Sequence, residues 1–272
     1  MEKLDRLGWA AGISFRAYGV RIGIRVNNAE ILEQVERRLP AGWKPTKSPV
    51  VDNLYSIVAP RATGRANVRR YNLLYEGIAR LARTTDLDDA LSELEIDMHS
   101  YVASASRQRM FLHAGVVGWR GKAIVIPGKN FSGKTNLVTA LLRAGATYYS
   151  DEFAVFDSRG RVHPYPWPLD TREGAAPPRE CPVERLGSQA GDKPLPVGLV
   201  LLSQYREGAK WRPQRVSQGH AALAMLANLK SMRHTPEVML PMLGQVLSGA
   251  TVLKGVRGEA SEVVDAILSG IC

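Results

Sequence analysis

The octapeptide Gly128-Lys129-Asn130-Phe131-Ser132-Gly133-Lys134-Thr135 constrains this chain more than any other segment. It has the spacing G-x-x-x-x-G-K-[ST]. It follows an apolar run, AIVIP (123–127), and precedes TNLVTALLRAG, which has helical periodicity. Strand, tight loop and helix in that order predict inward-pointing N–H groups at the positive end of a helix, an arrangement suited to phosphate. Gly128 and Gly133 supply the turn, Lys134 a point charge for the β- and γ-phosphates, and Thr135 a hydroxyl ligand for Mg²⁺. All eight residues are expected at a nucleotide, with ATP and Mg²⁺ as the cofactors.

Such loops work with a second carboxylate near the metal, usually at the end of a neighbouring strand. The first candidates after the loop are Asp151 and Glu152, inside YYSDEFAVF, which reads as one apolar strand. Burying a carboxylate is costly unless it meets a cation or a partner, so Asp151 is expected to be functional. Glu152 is either functional or solvent-facing.

The order of these parts resembles HPr kinase/phosphorylase, a relative of phosphoenolpyruvate carboxykinase. That family has a strand beginning with His, a P-loop, a helix ending in Gly, and a strand carrying two consecutive acids. Here the same order reads His113-Ala-Gly-Val-Val, GKNFSGKT, Arg143-Ala-Gly145 and Ser150-Asp151-Glu152, within residues 110–157. The resemblance implies transfer of the γ-phosphoryl of ATP to a serine hydroxyl. It implies Asp151 as the base, Glu152 as a metal ligand beside Thr135, and His113 near the phosphates. From the residues themselves His113 reads equally as a satisfied core histidine. The second acid is Glu where the family has Asp, and the family's second, glycine-rich signature is not recognisable in residues 171–196.

Around this core the predicted fold is α/β (α+β): a P-loop kinase core of the HPr-kinase type at 107–272, and a small α+β domain at 1–106. In the latter, residues 13–26 read as one or two strands, AEILEQVERRL as a helix, and short strands are expected near Leu54–Ala59 and Asn72–Tyr75. A long amphipathic helix closes the domain, capped by Thr85 with Asp88, and His99 falls off its apolar stripe and is expected to be exposed. Further on, FLHAGVVGW and KAIVIP read as strands joined at Arg120–Gly121. Residues 164–196 read as loop, VGLVLLS as a strand, and Lys210–Arg212 as a short strand. Three C-terminal helices are expected at Gln218–Leu229, Pro236–Leu247 and Glu259–Leu268, the second capped by Thr235. Arg172, at the end of the proline-rich segment 164–172, could meet a phosphate or an acidic acceptor as readily as solvent.

The net charge of +10 favours anionic partners without choosing among them. Basic residues are scattered except around Arg61, Arg65, Arg69 and Arg70, which read as a solvated loop, so nucleic acid is not the expected partner. No apolar run reaches the length of a membrane span and the N-terminus lacks a signal-peptide pattern, so a cytoplasmic protein is expected. Cys181 and Cys272 read as incidental thiols. The expected partner is a hydroxyl-bearing peptide, protein or small molecule, and a homo-oligomer is left open. The competing function is an ATP-binding switch or scaffold that transfers no phosphate.

Overall fold

Residues 11–26 become a hairpin because the link Tyr18–Gly19 has φ of 51° and 87°, the twist that a two-residue turn needs. The computed structural model describes residues 2–60, 69–128, 132–171, 179–230 and 236–271. The fold is mixed α/β, and the chain divides into two compact units between Arg107 and Gln108. Lys129, Asn130, Phe131, Arg172, Arg61, Arg65, Thr235 and Cys272 lie outside the described residues.

In the first unit a short helix α1 (Glu2–Asp5) precedes β1 (Ala11–Ala17) and β2 (Val20–Val26). Then come α2 (Leu32–Glu36), β3 (Lys44–Pro45), β4 (Asn53–Val58), β5 (Asn72–Glu76), β6 (Ala79–Thr84) and α3 (Leu87–Ala105). The six strands form one sheet in the order β3-β1-β2-β4-β5-β6, parallel only between β2 and β4. Leu91, Leu94, Met98 and Val102 of α3 pack with Phe15, Ile22, Ile24, Tyr55 and Leu74 of the sheet in one core.

Several expectations for this unit need correction. The helix expected over AEILEQVERRL shortens to a 3-10 turn and the five residues of α2. The cap of α3 is Asp86, not Thr85; its side chain accepts the Asp88 N–H. His99 is buried rather than exposed, because its Nε2 reaches the Arg38 carbonyl at 3.1 Å, and burial pulls its pKa down to about 4.

In the second unit β7 (Met110–Trp119) and β8 (Lys122–Pro127) form a hairpin through Arg120 and Gly121, both at positive φ. Helix α4 (Lys134–Arg143) follows, then β9 (Thr147–Ser150), β10 (Phe153–Phe156), β11 (Arg161–His163), and a two-stranded ribbon of β12 (Leu169–Thr171) and β13 (Arg179–Cys181). The chain continues through β14 (Leu195–Tyr205), β15 (Gln214–Arg215), α5 (Gln218–Leu226), α6 (Pro236–Leu247), β16 (Thr251–Arg257) and α7 (Ala260–Ser269). The main sheet runs β11-β10-β7-β8-β14-β16-β15, with β9 also on β7.

Strands β8, β14 and β16 are mutually parallel, so their carboxyl ends share one edge. Helices α4 and α7 pack on one face with Leu199 and Leu201, and α5 and α6 on the other with Val200 and Val252. In such sheets the crevice beyond the carboxyl ends of the strands is where ligands bind.

The strand expected at Lys210–Arg212 lies instead at Gln214–Arg215, and β6 and β16 were not anticipated. YYSDEFAVF is two strands, not one, with Asp151 and Glu152 in the bend between them. Among the described residues no helix is long and apolar enough to cross a membrane.

Candidate functional site

The bend between β9 and β10 is built by Ser150. Its buried hydroxyl accepts the N–H groups of Glu152 (3.2 Å) and Phe153 (3.0 Å), which a continuous strand would have used differently. Strand β7 runs straight past the break, pairing with β9 at Val116–Ser150 and with β10 at His113–Phe153. The two acids therefore bulge out opposite Ala114, whose N–H donates to the Glu152 carbonyl at 3.2 Å.

The described residues of the glycine-rich octapeptide meet them there. The Gly128 N–H donates to the His113 carbonyl at 3.3 Å, tying the start of the loop to β7. Gly133, the N-cap of α4, has φ of 81°, a left-handed conformation that a side chain would strain. Helix α4 begins at Lys134 and Thr135. The Thr135 hydroxyl donates to Asp151 Oδ2 at 2.5 Å, while Asp151 Oδ1 is buried with no partner among the described residues. Burial raises the Asp151 pKa to about 6, against the Thr135 hydrogen bond and the nearby Lys134 charge.

His113 Nε2 lies 3.2 Å from Glu152 Oε1 and 3.5 Å from Lys134 Nζ. One ring nitrogen cannot donate to the carboxylate and accept from the ammonium at once. The shorter contact, assisted by the carboxylate charge, takes the proton. Burial pushes the Glu152 carboxyl up, but the His113 hydrogen bond and the charges of His113, Lys134 and Lys230 outweigh it and hold the group below its ordinary range. Burial also pulls the Lys134 ammonium below its ordinary value, against the opposing pull of Asp151 and Glu152.

Thus His113, Lys134, Thr135, Asp151 and Glu152 come together, and Gly128, Ser132 and Gly133 frame them. The contacts distribute the two acids in a particular way: Asp151 meets the hydroxyl expected to hold metal, and Glu152 meets the histidine. Among the described residues no three His, Cys, Asp or Glu side chains are grouped to hold a metal by themselves. The donor set here, one carboxylate and one hydroxyl, is what Mg²⁺ takes from a protein when phosphate and water complete its octahedron.

The aromatic wall behind the site comes from the proline-rich segment. Buried Tyr165 packs edge-on against Phe111 (5.7 Å) and Phe153 (5.8 Å), and Trp167 against Phe153 (6.3 Å).

The sequence reading missed Arg257, at the carboxyl end of β16. It is only 1% exposed; Nη2 donates to the Gly133 carbonyl at 2.7 Å and Nη1 to the Gly258 carbonyl at 3.0 Å. Its Nε is buried without a partner among the described residues, and its guanidinium stands 5.7 Å from the Tyr205 ring. A Cβ on Gly133 would come within 2.8 Å of Nη2, so a side chain there would have to displace the guanidinium. The alternation in TVLKGVR was the available signal for β16, although nothing local marks Arg257 itself. In comparisons with known proteins, no family model and no curated protein matches this chain.

Proposed function

We propose that the second unit is an ATP-dependent phosphotransferase built on a P-loop kinase core of the HPr-kinase type, acting on a hydroxyl acceptor. The observation that carries this reading is the convergence of Thr135, Lys134, Asp151 and the Glu152–His113 pair at the N-terminus of α4. Phosphoryl transfer asks little covalent chemistry of a protein; it asks for positioning and for charge around the transferred group.

The roles follow from the contacts. Lys134 and the N–H groups at the start of α4 bind the phosphates. Thr135 and Asp151 would hold Mg²⁺, which supplies neutralisation of the charge that develops between the β- and γ-phosphates. Arg257 holds the carbonyl of Gly133 at the start of α4. The acceptor oxygen forms its bond to the γ-phosphorus as the bond to the bridging oxygen breaks and ADP leaves with that electron pair. Glu152, steadied by His113, takes the acceptor's proton.

The pKa of about 6 on Asp151 favours the reverse division, with Asp151 as base and Glu152 at the metal. Geometry precedes pKa in choosing a base, and a metal beside Asp151 would lower its pKa again. The Thr135 contact supports Asp151 as ligand. A nucleotide-binding switch without transfer is favoured by one observation: the Glu152 carboxyl is held below its ordinary range, which weakens it as a base.

The test is incubation with Mg·[γ-³²P]ATP and a pooled set of serine peptides and small hydroxy compounds. Label in an acceptor, lost in Lys134→Ala, supports transfer. Calorimetric binding of Mg·ATP with no label in any acceptor supports the switch. Absence of Mg·ATP binding removes both.

A further inference from the structure

On the sheet face away from α4, an open cavity of about 610 Å³ lies between the carboxyl ends of β14 and β16, strand β15 and helix α5. The side chains that face it follow from alternation. Leu201 and Leu253 pack toward α4 and α7, so Leu202, Gln204, Lys254 and Val256 turn the other way, toward α5.

Its charge is one-sided. Arg212, His220 and Lys254 line it with the amides of Gln204, Gln214 and Asn228, and no lining residue is acidic. Among the described residues neither Arg212 nor Lys254 is in an ion pair. Lys254 Nζ lies 3.1 Å from His220 Nε2. An ammonium has no lone pair, so this contact uses the lone pair of Nε2 and leaves Nδ1–H free to donate.

The segment carrying Arg212 is seated rather than loose. Gly255 has no side chain, and a Cβ there would stand 2.8 Å from the Trp211 ring and 3.2 Å from Pro213 Cα. The bare backbone of β16 thus receives Trp211 and Pro213, with Arg212 between them. The cavity also shares a wall with the phosphate site. Pro127, which lines it, is followed directly by Gly128, and Asn228, also lining it, accepts the His113 N–H at 2.8 Å through its carbonyl.

We propose that this cavity is the acceptor subsite, and that it takes a small hydroxy compound bearing a phosphate or carboxylate group. The proposal rests on the phosphotransferase reading above. Its volume falls in the range of small-molecule sites. Two cations, Arg212 and Lys254, lining one cavity without a carboxylate repel one another and are relieved by an anion. The shared wall at Pro127 and Asn228 sets the anchored end of the acceptor next to the residues that would handle the γ-phosphoryl, so the hydroxyl end reaches Glu152.

The experiment uses the full chain saturated with Mg·ADP and follows the His220 ring signals by NMR, assigned with His220→Gln. Inorganic phosphate and malonate are titrated separately. At least one is expected to shift His220 saturably with a Kd on the order of 1 mM. Arg212→Ala and Lys254→Ala, both exposed sites, should each weaken it roughly tenfold or more. The tighter-binding anion identifies the acceptor's charged group. The proposal is overturned if neither anion gives a saturable shift, or if the shift survives loss of both cations. It is equally overturned if Mg·ADP itself moves His220 and blocks the titration, because the cavity then belongs to the nucleotide. Failure of the nucleotide to bind, measured separately by calorimetry, sinks the phosphotransferase reading without touching the anion titration.

Discussion

In the first unit buried polar groups find partners within the unit, two atoms among the described residues excepted. The Tyr55 hydroxyl donates to Asp97 at 2.6 Å and His99 meets the Arg38 carbonyl. Its two unpartnered buried atoms, Trp9 Nε1 and Arg25 Nη2, belong to one stacked pair with the guanidinium 4.4 Å from the indole centroid. In the second unit six buried atoms lack partners among the described residues: Asp151 Oδ1, Ser132 Oγ and Arg257 Nε lie around the glycine-rich loop, and Trp119 Nε1, Thr139 Oγ1 and Asn228 Oδ1 lie elsewhere. Native folds satisfy buried polar atoms, so a cluster of exceptions at one edge of a sheet needs an explanation beyond packing. The first unit is what a chain looks like when it folds for itself.

The sharpest way to break this contrast is to remove the acids one at a time. Glu152→Gln is expected to cut phosphoryl transfer by roughly 10²–10⁴-fold with ATP affinity nearly intact, as the loss of a base should. Asp151→Asn is expected to raise the Mg²⁺ requirement, with part of the rate returning at high Mg²⁺. Rates as a function of Mg²⁺ concentration read out both. If the two phenotypes are exchanged, Asp151 is the base and Glu152 the ligand. If both variants turn over normally, the acidic pair is structural.

A second test uses pH, because the two units should respond with opposite signs. His99 is held neutral, with a folded pKa of about 4 against an ordinary 6.5. The unfolded chain takes up that proton first, so the first unit loses stability as pH falls below 6.5, by about 3 kcal/mol on reaching pH 4. Asp151 is shifted upward, from 3.8 to about 6, so here the folded chain takes up the proton first. The second unit, free of nucleotide, therefore gains stability as pH falls through 6. Hydrogen exchange of α3 and α4 amides between pH 7 and 4.5 should show protection falling in α3 and rising in α4. The window stops at 4.5 because Glu152 and Asp157, both held below their ordinary values, favour unfolding as pH drops further. Parallel trends in α3 and α4 would end the contrast. His99→Gln should flatten the α3 trend and Asp151→Asn the α4 trend.

Lys134→Ala sharpens the comparison from the ligand side. Lys134 is 7% exposed, and its Nζ lies 3.5 Å from His113 Nε2. If phosphate is its proper partner, the substitution should cost Mg·ATP binding roughly 1.5–3 kcal/mol in a calorimetric titration. Thermal stability without nucleotide should fall, since buried Asp151 and Glu152 lose a nearby cation. Unchanged affinity would take the loop out of the site.

How much of this could be read from the residues depended on range. The β7–β8 hairpin and the stripe of α3 are local patterns, and these were legible. Arg257 was not, because its partner Gly133 is 124 positions away and a strand as short as TVLKGVR, with Lys254 and Gly255 in its middle, has a weak signature. His99 misled for the same reason: its carbonyl partner is 61 positions away and nothing on the helix marks it. YYSDEFAVF looked continuous because the residue that breaks it, Ser150, acts by accepting two backbone N–H groups rather than by any turn-forming propensity. β6, ARLART, is a sheet-edge strand with two arginines and only partial burial, so its apolar alternation is faint.

The smallest expected effect compares two turns that look alike. Both units contain a two-residue hairpin whose first residue is not glycine: Tyr18 at φ 51° and Arg120 at φ 48°. A left-handed conformation costs an ordinary L-residue about 1–2 kcal/mol, and asparagine tolerates it best among the alternatives to glycine. Arg120 has only a loose stacking contact with Trp119, at 5.7 Å, to offset that cost. Tyr18 packs on the core of the first unit, and its carbonyl accepts the Ser106 hydroxyl at 3.2 Å. Arg120→Asn is therefore expected to stabilise the second unit by up to about 1 kcal/mol. Tyr18→Asn should not stabilise the first, because the ring contact it deletes exceeds the strain it relieves. Urea titrations of each variant, read with the slope held to that of the parent protein, would decide. An equal gain at both turns would mean that the Tyr18 ring contributes nothing to its core, and a loss at Arg120 would mean that the arginine side chain holds the hairpin through its stacking on Trp119.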